Sequence, residues 1–485
     1  MNIAEAKEQI RRAMQAYFTL DEYGNFRIPP EAQRPLFLMG PPGIGKTAIL
    51  KQVAEEMGVG LVSYSMTHHT RQSALGLPRI VHKCFEEQAY EVSEYTMSEI
   101  FSSVYDLMAE SGVRRGILFL DEINCVSETL TPTMLQFLQF KTFGRHALPD
   151  GWIVVTAGNP PEYNRSAREF DIVTWDRLKR IDIDPDYQAW KSYALKRGTH
   201  ASILTYLDVK KQNFYQVETH VAGKHFVTAR GWSDLSDMID LYEYHDLPVD
   251  LSLISQYIQN PEIAEDFAIY YDLYNKYKAD YQIDTILTGT VSSEIYDRAK
   301  NAPFDERLTL LGLLLERVNT EARHVMETED VITQLLTILR EVKGGASLAD
   351  KCNETEEHFQ RDKRRGALSP SKHREYDRVL DFLHKHLDAD FSQIKASYEQ
   401  EVLKMRMAAT AVNELLSHLF AFIEEVWPAG QELLLLVTEL TVNCHTARYI
   451  GRYGCEAYYR HNQELLFYQR QTEIIKELEQ LEMEI

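Results

Sequence analysis

One eight-residue stretch decides the fold of the first part of the chain: Gly40-Pro41-Pro42-Gly43-Ile44-Gly45-Lys46-Thr47. It follows an apolar run at residues 36–39 and precedes a helical pattern, AILKQVAEEM. A glycine-rich loop between a strand and a helix is the context that makes the pattern GxxxxGK[ST] specific. Glycines let backbone N–H groups turn inward around phosphates, and the helix presents its positive N-terminal end to them. We therefore predict that all eight residues bind ATP, with Lys46 reaching the β- and γ-phosphates and the Thr47 hydroxyl ligating Mg²⁺.

A second motif, ILFLDE at residues 117–122, is an apolar strand that ends in two carboxylates. Together with the phosphate loop, this pattern is typical of a nucleotide hydrolase. Asp121 suits the strand-end acid that holds Mg²⁺, and Glu122 suits the residue that orients or polarises the attacking water.

A third apolar run, at residues 152–157, ends in Gly158-Asn159-Pro160-Pro161. In a doubly wound sheet the ligand binds at the carboxyl ends of the strands, so Asn159 is expected beside the phosphates. Its amide can help hold the water and sense the γ-phosphate. The alternative is a plain Asn-Pro turn without a chemical role.

The sequence predicts three domains around these motifs. Short apolar runs alternate with helical patterns over residues 1–185, which indicates an α/β core with a parallel sheet and flanking helices. Short helices are expected in a small lid domain at 186–278. A helical carboxyl-terminal domain is expected at 279–485, with a polar, extended connection near 343–373.

These motifs resemble those of the MoxR branch of the AAA+ ATPases over residues 1–278, through GPPGIGKT, ILFLDE, TAGNPPEY, WDRL and TARGW. The resemblance implies ATP hydrolysis with Mg²⁺ in a homo-hexameric ring. It also implies chaperone-like remodelling or assembly of a client protein, together with a partner that contains a von Willebrand factor A domain. The strand-like halves of residues 79–96 resemble the helix-2 insert that faces the ring's channel; a plain surface hairpin is the alternative.

The resemblance also implies two arginines that reach ATP. Where the family has a DRF segment, this chain has Asp176-Arg177-Leu178, so Arg177 is the first candidate for the arginine that reaches the neighbouring subunit's ATP. Arg180 is the second candidate, and the alternative for both is a salt bridge with Asp171 or Asp182. Arg230 is expected to contact the γ-phosphate from the lid, although the proline of the family motif is missing beside it.

Composition limits the other functions that the same core could serve. The 52 lysines and arginines are outnumbered by 73 aspartates and glutamates, which gives a net charge of −21. Such a surface disfavours a nucleic-acid motor, the first alternative. The second is an ATP-gated scaffold with low turnover, which would need neither Glu122 nor Arg177.

The distribution of cysteines and of apolar residues indicates the cellular compartment of the protein. The five cysteines are scattered and never form CxxC, which predicts reduced thiols in the cytoplasm. No apolar run approaches the roughly 20 residues that span a bilayer, so we expect no membrane segment.

Overall fold

The structure is a computed structural model that describes residues 1–68, 71–85, 88–164, 166–220, 223–428 and 430–463. The chain divides into two compact units. The first comprises Met1–Ala189 and Leu348–Leu380, and the second comprises Trp190–Ser347 and the chain from Asp381 onward. The boundaries predicted at 186 and 279 stay predictions.

The strands are numbered in chain order: β1 (Leu36–Met39), β2 (Gly60–Ser65), β3 (Pro78–Phe85), β4 (Gln88–Tyr95), β5 (Gly116–Asp121), β6 (Thr142–Phe143), β7 (His146–Ala147), β8 (Trp152–Gly158), β9 (Lys179–Asp182), β10 (Gln216–His220) and β11 (Gly223–Val227). The α-helices are α1 (Ile3–Tyr17), α2 (Lys46–Met57), α3 (Arg71–Leu75), α4 (Glu99–Ser111), α5 (Thr131–Phe140), α6 (Ile172–Trp175), α7 (Tyr187–Arg197), α8 (Ala201–Val209), α9 (Ala229–Tyr244), α10 (Leu251–Tyr257), α11 (Pro261–Tyr281), α12 (Ile283–Leu287), α13 (Ser293–Asn301), α14 (Phe304–Lys343), α15 (Leu348–Arg364), α16 (Pro370–Lys385), α17 (Phe391–Val426), α18 (Gln431–Val442) and α19 (Cys444–Tyr453).

The first unit is built on a five-stranded parallel sheet in the order β2-β5-β8-β1-β9. Strands β5 and β8 are buried along almost their whole length, as expected for apolar strands covered by helices on both faces. The predicted α/β core with flanking helices is confirmed. The predicted hairpin is present as well, because β3 and β4 pair antiparallel with Ile80 opposite Ser93.

The second unit is largely helical, as predicted. Its main core joins α14 and α17, the two longest helices, through buried leucines and valines such as Leu314, Val318 and Leu419. The predicted helix near Ala229–Tyr244 is α9. The structure also contains the β10–β11 hairpin, where the sequence predicted helices alone. Polar side chains occupy most positions of both strands, so apolar and polar residues do not alternate clearly. The two-residue repeat that indicates a strand was therefore not recognisable in the sequence.

The prediction of an extended connection at 343–373 is wrong, because α15 and α16 occupy most of this segment. The polar composition concealed an amphipathic helix, whose buried positions Leu348, Cys352, Thr355 and Phe359 recur at helical spacing. The link between α15 and α16 lies against the edge of the sheet in the first unit. The Leu61 N–H donates to the Arg365 carbonyl over 3.1 Å.

Across the part of the chain that the structure describes, no helix is both long enough and apolar enough to cross a bilayer.

Candidate nucleotide site

The strand order brings three functional segments to one edge of the sheet. Strand β8 lies between β1 and β5, with Met39 opposite Gly158 and Leu120 opposite Thr156. The phosphate loop after β1, Asn159 after β8 and the acidic end of β5 therefore emerge side by side. This is the carboxyl edge at which parallel sheets bind ligands.

The phosphate loop takes the shape that its glycines allow. Gly43 and Gly45 have φ angles of 75° and 99°, in the left-handed region. Gly45 precedes α2, and its carbonyl accepts the Ile49 N–H over 3.1 Å. The loop therefore leads directly into a helix N-terminus, which favours phosphate because of the free N–H groups and the helix dipole.

Lys46 is buried at the start of α2 and holds the loop to the neighbouring strand. Its Nζ donates to the carbonyls of Gly40 over 2.7 Å and of Pro41 over 2.9 Å. It also donates to Oδ1 of Asn159 over 2.9 Å. These acceptors orient the ammonium group along the loop.

Thr47 and Asp121 form an oxygen pair suited to Mg²⁺. The Thr47 hydroxyl donates to Oδ2 of Asp121 over 3.4 Å. Hydroxyl and carboxylate oxygens are the ligands this hard cation prefers. Burial, followed by the fields of Glu122 and Asp121, raises the pKa of the nearby Cys125 thiol. The residues present therefore fit a divalent cation.

Glu122 adopts a backbone conformation that is rare outside glycine, with φ 55° and ψ 36°. Its N–H donates to Oδ1 of Asp121 over 2.9 Å, and its carbonyl accepts the Cys125 N–H over 2.9 Å. Ser65, the last residue of β2, donates its hydroxyl to Oε2 of Glu122 over 3.4 Å. Such strain costs on the order of 1–3 kcal/mol and clusters at functional sites.

Sequence reasoning missed Ser65 and Asn124. Ser65 ends a strand at the functional edge, which was a usable signal. Asn124 follows Glu122 by two residues on a short 3-10 turn, Ile123–Cys125, and donates Nδ2 to the Asn159 carbonyl over 2.9 Å. No motif draws attention to a single asparagine at this place.

The two candidate arginines of the first unit have different surroundings. Arg180 donates Nε to Asp182 over 2.7 Å, and its guanidinium lies 4.7 Å from the centre of the Trp175 ring. The salt-bridge alternative therefore applies to Arg180. Arg177 is exposed just after α6, and within the described residues it makes no ion pair, although its field contributes to lowering the pKa of Asp171 after two hydrogen bonds from Thr174.

Arg230 belongs to the second unit, in the first turn of α9. The Thr228 hydroxyl caps this helix by accepting the Gly231 N–H over 3.2 Å, and the Arg230 side chain is exposed. Its predicted contact with the γ-phosphate stays a prediction. The structure thus brings together Lys46, Thr47, Asp121, Glu122 and Asn159, and their catalytic roles are also predictions.

The fold and the site define a P-loop ATPase domain of the AAA+ type. Residues 36–171 match the family model described as ATPase family associated with various cellular activities (AAA). No curated protein matches the chain. The matched segment runs from β1 to the residue before α6, and it includes the phosphate loop, both acidic residues and Asn159.

Proposed function

We propose that this protein is a MoxR-like AAA+ ATPase that hydrolyses ATP to ADP and phosphate in a homo-hexameric ring. The reaction is coupled to chaperone-like remodelling or assembly of a client protein. The observation that carries the hydrolytic part is the meeting of Lys46, Thr47, Asp121, Glu122 and Asn159 at one sheet edge.

The side chains divide the work of phosphoryl transfer to water. Lys46 exchanges its loop carbonyls for oxygens of the β- and γ-phosphates, and Thr47 and Asp121 hold Mg²⁺. When bound, Mg²⁺ offsets the negative charge of the phosphate oxygens. Glu122 orients the attacking water and accepts its proton, while the Asn159 amide helps to hold that water.

A neighbouring subunit would complete the site with Arg177. Its surroundings suit a contact with another copy, because Ile172 and Val173 beside it are 87% and 58% exposed. Exposed apolar side chains at this density commonly mark an interaction surface. Arg230 is the proposed second cation, reaching the γ-phosphate from the lid.

The client is proposed to be a protein rather than a nucleic acid, because the net charge of −21 opposes phosphate backbones. The β3–β4 hairpin is the proposed contact, since Ile80 and Phe85 are 67% and 54% exposed and suit an unfolded polypeptide. A protein with a von Willebrand factor A domain is the proposed partner. All five cysteines are free, which suits a reducing compartment such as the cytoplasm.

Four measurements on the full chain test this proposal. Wild-type protein with Mg²⁺ and ATP should release phosphate and should sediment as a hexamer, whereas Lys46→Ala should lose ATP binding by calorimetry. A client should be retained by Glu122→Gln when ATP is present and should be absent from the Lys46→Ala eluate. Wild-type protein without phosphate release at any concentration would overturn the hydrolytic role, and hydrolysis without ATP-dependent retention would overturn the remodelling role.

A further inference from the structure

We infer that Asn124 is a positioning residue that sets where Asn159 stands relative to Lys46. This inference rests on the proposed ATP hydrolysis and assigns a further residue to that same site. Asn124 acts through Asn159 and contacts no reacting atom.

Asn124 joins three segments of the first unit from a buried position. Its side chain is 2% exposed. Nδ2 donates to the Asn159 carbonyl over 2.9 Å, which ties the turn after Glu122 to the end of β8. Its own carbonyl accepts the Arg168 N–H over 2.9 Å, so the loop that leads towards Arg177 is held as well.

Gly158 provides an independent sign that this contact is built into the fold. A Cβ atom at residue 158 would lie 2.5 Å from Oδ1 of Asn124 and 2.8 Å from Cζ of Phe37. Only glycine therefore lets the Asn124 amide approach the end of β8. Residue 158 is therefore a glycine at the position where a larger side chain would block the hydrogen bond from Asn124 to the Asn159 carbonyl.

The bond matters because the two ends of Asn159 are held by different partners. Its side-chain oxygen accepts from Lys46, and its backbone carbonyl accepts from Asn124. Without Asn124 that buried carbonyl would lack this donor, and the backbone could rotate to find another. Lys46 would still orient itself on the loop carbonyls, but the Asn159 amide would lose its fixed position beside the water.

Two substitutions at Asn124 separate positioning from folding. Asn124→Asp replaces the donor by an oxygen that repels the Asn159 carbonyl, and Asn124→Ala removes it. Both should lower kcat roughly tenfold, because the Asn159 amide would no longer be held in place to hydrogen-bond the attacking water. The Kd for ATP should stay within about twofold, because the phosphate loop is unchanged. Asn164→Asp is the matched control, since Asn164 lies in the same region and donates to Cys125 Sγ rather than to Asn159.

A double-mutant cycle with Asn159→Ala distinguishes positioning from a general structural role. If Asn124 acts through the Asn159 amide, Asn124→Asp should change kcat less than about twofold once that amide is gone. Equal effects in both backgrounds would overturn the inference. So would wild-type kcat in Asn124→Asp or Asn124→Ala, while wild-type protein that hydrolyses no ATP would overturn the proposed function itself. If Asn124→Asp does not fold, the cycle with Asn124→Ala gives the same decision.

Discussion

The ammonium of Lys46 donates a 2.9 Å hydrogen bond to the side-chain oxygen of Asn159, 113 positions further along the chain. The bond exists because β8 lies beside β1 in the sheet, so the residue after β8 emerges next to the phosphate loop. Lys46 thus links the residues proposed to bind phosphate to the one proposed to hold the attacking water. A change at Lys46 should therefore weaken ATP binding, whereas a change at Asn159 should lower mainly the rate of hydrolysis.

Glu122→Gln should separate ATP binding from hydrolysis. A carboxamide keeps the shape of the side chain and can accept the Ser65 hydroxyl, but it cannot take a proton from water. We expect turnover to fall by about a hundredfold or more, with the Kd for ATP nearly unchanged. Phosphate release and calorimetry measure the two quantities.

The matched control is Glu128→Gln. Glu128 is an exposed carboxylate that pairs with Arg168 at 3.0 Å. Its substitution should leave turnover within about twofold, as is usual for exposed ion pairs. Wild-type turnover in Glu122→Gln would remove Glu122 from the proposed mechanism.

Gly366→Ala should loosen the edge of the ATPase sheet. Gly366 has φ 77°, and an added Cβ would lie 2.9 Å from the Leu61 carbonyl. The left-handed backbone costs alanine about 1 kcal/mol, and the close contact should add roughly 1–3 kcal/mol. Hydrogen exchange at the Leu61 amide, which donates to Arg365, should accelerate accordingly.

Gly112→Ala isolates the contact from the backbone cost. Gly112 also lies in the first unit with φ 70°, but an added Cβ there meets nothing within 4 Å. The Tm of Gly112→Ala should fall only by the amount that corresponds to the cost of the left-handed backbone for alanine. Hydrogen exchange at the Leu61 amide should not become faster. Equal losses in the two variants would show that the Leu61 approach contributes nothing.

The sequence predicted the structure correctly wherever a single motif, or a single regular spacing of apolar residues, is enough to define an element. The phosphate loop sets β1 and α2, the run before Asp121 sets a buried strand, and the two halves of the 79–96 segment set a hairpin. Each depends on contacts within a short stretch of chain. The parallel order of the sheet then follows from the fold class that these motifs define.

The remaining features depend on contacts between distant parts of the chain. The α15–α16 segment has a polar composition, and its contact with Leu61 is visible only in the tertiary structure. Asn124 and Ser65 are ordinary polar residues until the sheet brings them to Asn159 and Glu122. No periodicity encodes these pairings; the position of Ser65 at a strand end was a signal for its side, but nothing in the sequence marks Asn124.

The His200–Glu243 pair should make the stability of the second unit depend on pH. Burial lowers the pKa of His200, but the hydrogen bond to Glu243 and the fields of Glu316 and Asp240 outweigh it, so the pKa is raised above 6.5. The same hydrogen bond, joining Nε2 and Oε1 over 3.3 Å, lowers the pKa of Glu243 to about 2. The His200 contribution is complete below pH 6.5 and is lost as the pH rises through its raised pKa.

The Glu243 contribution has the opposite sign, being complete above pH 4.5 and lost as the pH falls towards 2. The pair therefore stabilises most between about pH 4.5 and 6.5. In His200→Gln the Tm difference from wild type should be largest in this window and should shrink above it. His245→Gln, at the exposed end of α9, is the matched control. A Tm difference independent of pH would contradict the charged pair.

Arg177 should act on the ATP of a neighbouring subunit. If the site is completed between copies, one subunit provides Lys46 and Glu122, and its neighbour provides the cation that offsets charge on the γ-phosphoryl group. Arginines in this role contribute on the order of 10³ in rate. Arg177→Ala should therefore bind ATP normally but hydrolyse it poorly, and wild-type specific activity should rise with protein concentration.

Mixing two inactive variants decides whether Arg177 acts between subunits. Arg177→Ala keeps an intact phosphate loop and Lys46→Ala keeps the arginine, so a mixed ring contains complete sites and should recover part of the wild-type activity. Arg180→Ala is the matched comparison. Because Arg180 contacts Asp182 and the Trp175 ring, its loss should lower Tm but leave turnover close to the wild-type value. If activity does not depend on concentration and does not recover on mixing, Arg177 acts within its own subunit or has no role. A large loss of turnover in Arg180→Ala would instead assign the role to Arg180.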